Sequence, residues 1–346
     1  MEISSTMSLF VDDEILTNGN DHDRDKCFEY RILVVGCGSV GRCSLSLLHK
    51  LLIDDLKPLS ITILDCIIPS TPVLAWLKDL NIRFEQEHLR EDSYEKILNK
   101  YLTKGDILLD LAFNVSTESL VRWCQKNQVL FVNTTVDAWF LSGKDGDLFR
   151  TFPFDLFKWQ EALLETQNQM NQQFGRETPT AIPEHGANPG LVSHFVKQGL
   201  QDMAQHVLHS CVIIDVNRIE KIKEALIKKD HARLAYLLGI KTIHISERDS
   251  QRTTMQRKPN EMVNTWCVAS LCEEATGCVQ FSWGTHEKQV PKGGLLHRQP
   301  VEKWPPQRLC IVRKGLDVWV SFVFRFFYEA QANLIGGIQG KDSVLR

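Results

Sequence analysis

Three glycines, Gly36, Gly38 and Gly41, stand in G-x-G-x-x-G spacing between two short apolar runs. The first run, residues 32–35, is rich in β-branched side chains and ends in glycine, so it reads as a buried strand. Leu45, Leu47, Leu48, Leu51 and Leu52 recur after the loop at helical spacing, as in a helix packed on a sheet. A second apolar run, residues 61–64, closes on Asp65.

That order of strand, glycine loop, helix, strand and acid leaves few folds open. Gly36 permits a tight turn out of the strand. Gly38, with Ser39 and Val40 completing the loop, lets backbone approach a pyrophosphate closely. Gly41 lets the helix lie against the strand. The helix N-terminus offers free N–H groups and the positive end of its dipole to phosphates. Asp65 is placed to accept hydrogen bonds from ribose hydroxyls, and its charge would repel a 2′-phosphate, so the motif points to NAD rather than NADP. The competing reading is a glycine turn in an α/β domain that holds no ligand.

At 346 residues the chain has length for about two domains. A net charge of −3 gives no general reason to expect a nucleic-acid partner. The ten cysteines contain no C-x-x-C pair and read as reduced thiols of a cytoplasmic protein. Cys267, Cys272, Cys278 and His286 match no zinc spacing, so no metal is expected. No uncharged apolar stretch reaches the ~18 residues a membrane span needs.

Residues 1–29 are acidic and polar and read as a mobile tail. Beyond Asp65 the pattern alternates. Helical pieces fall at 76–80, 94–102 and 118–125, and strands at 82–84, 106–112 and 129–133. Strand and helix at this pace predict a Rossmann-type, doubly wound parallel sheet in an α/β fold. Ligands of such sheets sit beyond the carboxyl ends of the strands, where Asn114, Ser116, Asn133 and Thr134 fall. These residues either touch cofactor or substrate, or cap helices. Residues 154–171 are helical in pattern. The run 183–190 (PEHGANPG) fixes an irregular turn before a helix, either an aimed Glu-His-Asn site or a stiff interdomain connector. Residues 200–238 are helix-rich, and Lys221, Lys223, Lys228 and Lys229 sit among acids as a solvated face. Strands are predicted at 241–245, 262–267 and 279–283, so this half reads as an α+β substrate domain. The organisation is then a tail (1–29), an NAD-binding domain (30–190), a substrate and dimerisation domain (191–306) and a divergent C-terminal segment (307–346).

Several separate blocks resemble the homospermidine synthase family, of the saccharopine dehydrogenase-like group. They are the glycine loop with Asp65, Asn114-Val115-Ser116, residues 185–190 (HGANPG) with 192–195 (VSHF), 244–249 (HISERD), 263–266 (VNTW) and 283–287 (WGTHE). The resemblance implies a transferase with tightly held NAD that joins two putrescines, or putrescine and spermidine, through an imine, with the hydride lent and returned. Ammonia or diaminopropane would leave. It further implies a homodimer. Glu247 and Glu274 would hold ammonium groups, Trp266 would face the cationic intermediate, and Asn114 and Asn188 would bound the inner pocket near the nicotinamide. Ser116 and Thr134 would complete the cofactor contacts. His286 and Glu287 receive no chemical step. The family carries a downstream His-Gly-Glu whose His and Glu line the amine pocket; none occurs in this sequence. The alternatives are a saccharopine dehydrogenase-like oxidoreductase acting on an amino acid or imine, or a catalytically impaired NAD-binding relative.

Overall fold

In the computed structural model, residues 29–51, 58–139, 156–175, 178–210 and 215–241 are described, with shorter pieces at 243, 256, 258–259, 266–267, 270, 278–282, 294–296 and 308–314. The first apolar run forms β1 (Arg31–Val35) and the leucine-periodic stretch forms α1 (Ser39–Leu51). There follow β2 (Ser60–Asp65), α2 (Thr71–Asp79), β3 (Arg83–Gln86), α3 (Tyr94–Tyr101), β4 (Ile107–Asp110), α4 (Thr117–Asn127), β5 (Leu130–Asn133), α5 (Leu156–Phe174) and β6 (Ala181–Ile182). All six strands lie in one parallel sheet ordered β3-β2-β1-β4-β5-β6. Consecutive parallel strands need crossovers, and the helices supply them. The predicted doubly wound architecture is therefore present. The sequence pattern missed the two-residue β6 and placed α2 too late in the chain.

The strands are apolar on both faces because helices cover both. Leu33, Leu64, Leu108 and Phe131 belong to one buried cluster, and Ile32, Val34, Leu45 and Ile63 to the other. At the amino end of the sheet Arg31 locks β1 to β4. Asp106 accepts its backbone N–H at 2.7 Å and its Nη2 at 2.7 Å. Burial pushes the Asp106 carboxyl up, but hydrogen bonds from Arg31 and Thr103 outweigh it and hold it below the usual carboxylate range. Ser93 precedes α3 without a side-chain cap bond. Ser116 does cap α4, accepting the Ser119 N–H at 3.2 Å.

The second half opens with α6 (Leu191–His209), α7 (Val216–Ile227) and α8 (His231–Leu238). They pack about Ala204, Ile222, Ala225, Leu234 and Leu237. Asp215 and Asp230 cap α7 and α8. Lys223 and Lys228 pair with Glu220 and Glu224, as a solvated face should. β7 (Cys278–Ser282), β8 (Gly294–Leu296) and β9 (Arg308–Lys314) form an antiparallel sheet ordered β7-β9-β8. β8 and β9 were not expected from the sequence. Conversely, Lys241, Ile243, Trp266 and Cys267 are outside any strand, so the strands predicted at 241–245 and 262–267 do not cover these positions. No helix among the described residues is long and apolar enough to cross a membrane.

Candidate functional site

The sheet order reverses at β1 and β4, and the glycine loop lies at that switch point. Gly36 has φ +102°, and its N–H donates to the Leu64 carbonyl at 2.8 Å. A Cβ at Gly41 would collide with the Gly36 carbonyl oxygen, so the third glycine is needed for helix-to-strand packing. A Cβ at Gly38 would meet nothing within 4 Å among the described residues, which leave the approach over the loop open. The first turn of α1, with Ser39, Val40 and Gly41, holds no acid. Arg42 donates through Nε to the Gly38 carbonyl at 3.2 Å and brings a cation to the same helix end. Arg42 was not singled out from the sequence, though a cation directly after the third glycine is a readable signal.

Asp65 ends β2 with both carboxylate oxygens engaged. Oδ2 accepts the Cys37 N–H at 2.6 Å, and Oδ1 accepts the Ile67 N–H at 2.8 Å. The acid thereby ties the second strand to the glycine loop. The Cys66 thiol hydrogen-bonds the same carboxylate, whose remaining acceptor capacity ribose hydroxyls could use.

Beyond β4 and β5 lies a buried polar network. Asn133, fully buried, donates through Nδ2 to Thr117 Oγ1 at 3.0 Å and to the Thr135 carbonyl at 2.6 Å, and stands 3.5 Å from Asp110 Oδ2. Thr117 Oγ1 also accepts the Asp137 N–H at 3.0 Å. Asp137 Oδ2 accepts the Asn114 N–H at 2.5 Å. Burial, with Asp137 adding its charge, pushes the Asp110 carboxyl up to about 7, against the bonds from Ala112 and Asn133. Asp110 and Asp137 were absent from the sequence reading. A lone acid closing an apolar strand was the available signal for the first.

The 183–190 turn is fastened to the same strand end. The Glu184 N–H donates to Asn133 Oδ1 at 2.8 Å, and the His185 N–H to the Asn133 carbonyl at 2.8 Å. A Cβ at Gly186 would lie 3.3 Å from the Cβ of Thr134. Gly190 has φ +122° and hands the chain to α6. The structure thus groups Asn114, Ser116, Thr134 and the turn carrying Asn188 at the carboxyl edge of the sheet. Ser116 is nearly buried and spends its oxygen on the α4 cap. Trp266 sits in a bend with 42% of its surface exposed, so it is not a core strand residue. Glu247, Glu274, His286 and Glu287 lie outside the described residues.

A 3-2-1-4-5-6 parallel sheet with a glycine loop at its switch point and an acid closing the second strand defines a Rossmann-type dinucleotide-binding fold. The chain matches the saccharopine dehydrogenase NADP binding domain over residues 32–182 and the saccharopine dehydrogenase C-terminal domain over residues 186–322. It belongs to the saccharopine dehydrogenase family. It is 31% identical over 273 residues to the homospermidine synthase of Mesorhizobium japonicum, covering 77% of this chain and 52% of the relative. To the homospermidine synthase of Blastochloris viridis it is 30% identical over 269 residues, with the same coverage. The crystal structure of the Legionella pneumophila homospermidine synthase in complex with NAD superposes with a TM-score of 0.62 at 26% identity, covering 83% of this chain and 54% of that one. The chain spans about half the length of the curated relatives it matches.

Proposed function

We propose that this protein holds NAD on its glycine loop and condenses diamines to homospermidine. The observation that carries the proposal is the fastening of the HGANPG turn to the β5 end, beside Asn114 and the switch point, in a chain whose relatives are homospermidine synthases. The cofactor fits the residues present. The open approach over Gly38 and the acid-free start of α1 suit a pyrophosphate, with Gly36, Ser39, Val40 and Gly41 around it. Arg42 adds positive charge, and the remaining acceptor capacity of Asp65 suits ribose hydroxyls. Ser116 and Thr134, at the carboxyl edge of the sheet, would complete the cofactor contacts.

When bound, NAD supplies an acceptor for a hydride from an amine-bearing carbon and a donor that returns it. The chain's own residues do the rest. Glu247 and Glu274 hold the ammonium groups of a putrescine-like diamine. Trp266 offers its ring face to the cationic imine, and Asn114 and Asn188 bound the space in which the amines meet. In this reading the protein is a cytoplasmic homodimer, residues 30–190 carry the cofactor, and residues 191–306 carry the substrate and the dimer contact.

The test is incubation of the purified protein with putrescine and NAD, followed by mass spectrometry. Homospermidine with little net NADH is expected. Net NADH on addition of amine or amino acid would make the protein an oxidoreductase. NAD binding with neither product would make it a cofactor-binding relative.

Two variants sharpen the reading. Trp266→Ala slows condensation by about 30-fold, the loss of a desolvated cation–π contact worth ~2 kcal/mol, and leaves the NAD dissociation constant unchanged. Loss of NAD binding as well would make the ring structural. Although the matching family model is described as NADP binding, Asp65 supports NAD. Asp65→Asn keeps an acceptor for the Cys37 N–H but removes the charge. The ratio of NADP to NAD affinity rises by about tenfold, read by parallel titrations.

A further inference from the structure

Two backbone positions at the edge of the site are held in a conformation that side-chain-bearing residues seldom adopt. Asn114 has φ +63° and Glu184 has φ +61°. Such residues cost free energy and persist where their surroundings hold them. In both cases the backbone N–H is tied to one buried network. Asn114 donates to Asp137 Oδ2, and Glu184 donates to Asn133 Oδ1. The centre of that network is the Asn133 side chain, fully buried and using both ends of its amide. Its oxygen takes the Glu184 N–H, while its nitrogen serves Thr117 Oγ1, which in turn holds the Asp137 N–H, and the Thr135 carbonyl.

We infer that Asn133 is a positioning residue that locks the 113–117 loop and the 184–190 turn to the end of β5 as one unit, so that Asn114 and Asn188 keep a fixed separation. The inference rests on the proposed function only for the role of those two asparagines as pocket walls. The coupling itself follows from the hydrogen bonds. Asn133 neither caps a helix nor takes part in the hydrophobic clusters. Its amide is matched to four partners, Glu184 N–H, Thr117 Oγ1, the Thr135 carbonyl and Asp110 Oδ2, that a leucine or an alanine could not satisfy, and leaving them unpaired in a buried place is costly.

The chemistry of the amide gives a signature that loss of packing does not mimic. In N133D the retained oxygen still accepts the Glu184 N–H. The other oxygen meets the Thr135 carbonyl and Asp110 and has no proton to give. Protonation of the introduced carboxyl restores a donor in place of the amide N–H. The titratable groups facing this point are Asp110 at the end of β4, Asp137 after β5 and Cys124 on α4. Two carboxyls this close raise one another's proton affinity.

The experiment is amide hydrogen exchange at Asn114, Glu184 and His185 in the full chain, each variant compared with the unaltered protein at the same pH. NAD titrations run alongside. N133A should exchange about tenfold faster at all three amides at every pH. N133D should match N133A at Asn114 at pH 8, stay protected at Glu184, and recover protection at Asn114 by pH 5.5. Leu77→Ala, a cavity in the separate cluster around Ile32, Val34 and Ile63, controls for general destabilisation and should leave these three amides unchanged relative to the rest of the sheet. N133D that behaves alike at both pH values, or N133A with unchanged exchange at Asn114, overturns the inference. If N133D does not fold, Thr117→Val removes the same link without adding charge; faster exchange at Asn114 is expected, and unchanged exchange overturns it. An unaltered protein that fails to bind NAD overturns the proposed function and leaves the exchange result standing on its own.

Discussion

Gly36→Ala should abolish measurable NAD binding and lower the melting temperature, whereas Gly38→Ala should lose binding alone. At Gly36 a Cβ would lie 2.6 Å from the Leu111 carbonyl oxygen, 2.7 Å from its carbon and 2.9 Å from the Ala112 nitrogen. All three are backbone atoms just beyond β4, so no side chain can swing aside. The φ of +102° adds a conformational penalty for any residue with a Cβ. Relief requires the loop to move off β4. That breaks the bond from the Gly36 N–H to the Leu64 carbonyl and the bond from the Leu111 N–H to the Val35 carbonyl, each 2.8 Å. A displacement of this kind should cost at least about 3 kcal/mol in cofactor affinity, more than 100-fold. At Gly38 the added methyl meets no atom of the described residues within 4 Å, so they are untouched and a ligand lying over the loop would meet it. Thermal melts and NAD titrations of the pair decide the matter. A Gly38→Ala protein that binds NAD normally would remove the pyrophosphate from that place.

Asp110→Asn should stabilise the protein above pH 7 and leave it nearly unchanged at pH 4. The Asp110 carboxyl is buried at the junction of β1, β4 and β5, paired in register with Val35 and with Asn133. Burial raises its folded-state value to about 7 from an ordinary value of 3.8. The folded protein therefore holds the proton more tightly than the unfolded chain. The stability associated with that proton is fully present below the ordinary value and is lost as pH rises through about 7. Above that point the unaltered protein carries a buried charge beside Asp137. The neutral amide does not, and the difference should amount to a few kcal/mol at pH 8. Denaturant melts of both proteins from pH 4 to pH 8 measure it. Parallel curves across that range would show that Asp110 stays ionised in the fold. Because Asn133 stands 3.5 Å from Asp110, the same substitution should also slow exchange at the Asn114 amide at high pH.

The amino-acid sequence displays whatever short-range order dictates. Residues 31–66 announce their fold because each part acts on its neighbours. An apolar β-branched run makes a strand, a glycine makes the turn, leucines at helical spacing make a buried face, and an acid ends the next strand. The parallel sheet followed from the pace of alternation, and the turn at 183–190 followed from its prolines and glycines. Failures came where secondary structure depends on a distant partner. β6 is two residues long and exists only because β5 offers it an edge, with Phe131 and Val132 paired to Ala181 and Ile182. β8 and β9 likewise form through pairing rather than through local pattern.

The site divides in the same way. The glycine loop, Asp65 and the Ser116 cap are each marked by a local pattern and were legible. The network of Asp110, Asn133, Thr117 and Asp137 with the 184–190 turn was not, because its members come from two strands, a helix start and a loop up to 74 positions apart and none carries a motif. The chain by itself determined a dinucleotide-binding sheet, because each strand, glycine turn and helix of it is written as a local pattern. Only the tertiary structure decided that Asn114 and the HGANPG turn share one buried anchor, because a hydrogen bond between distant segments exists only once the sheet has brought their backbones together.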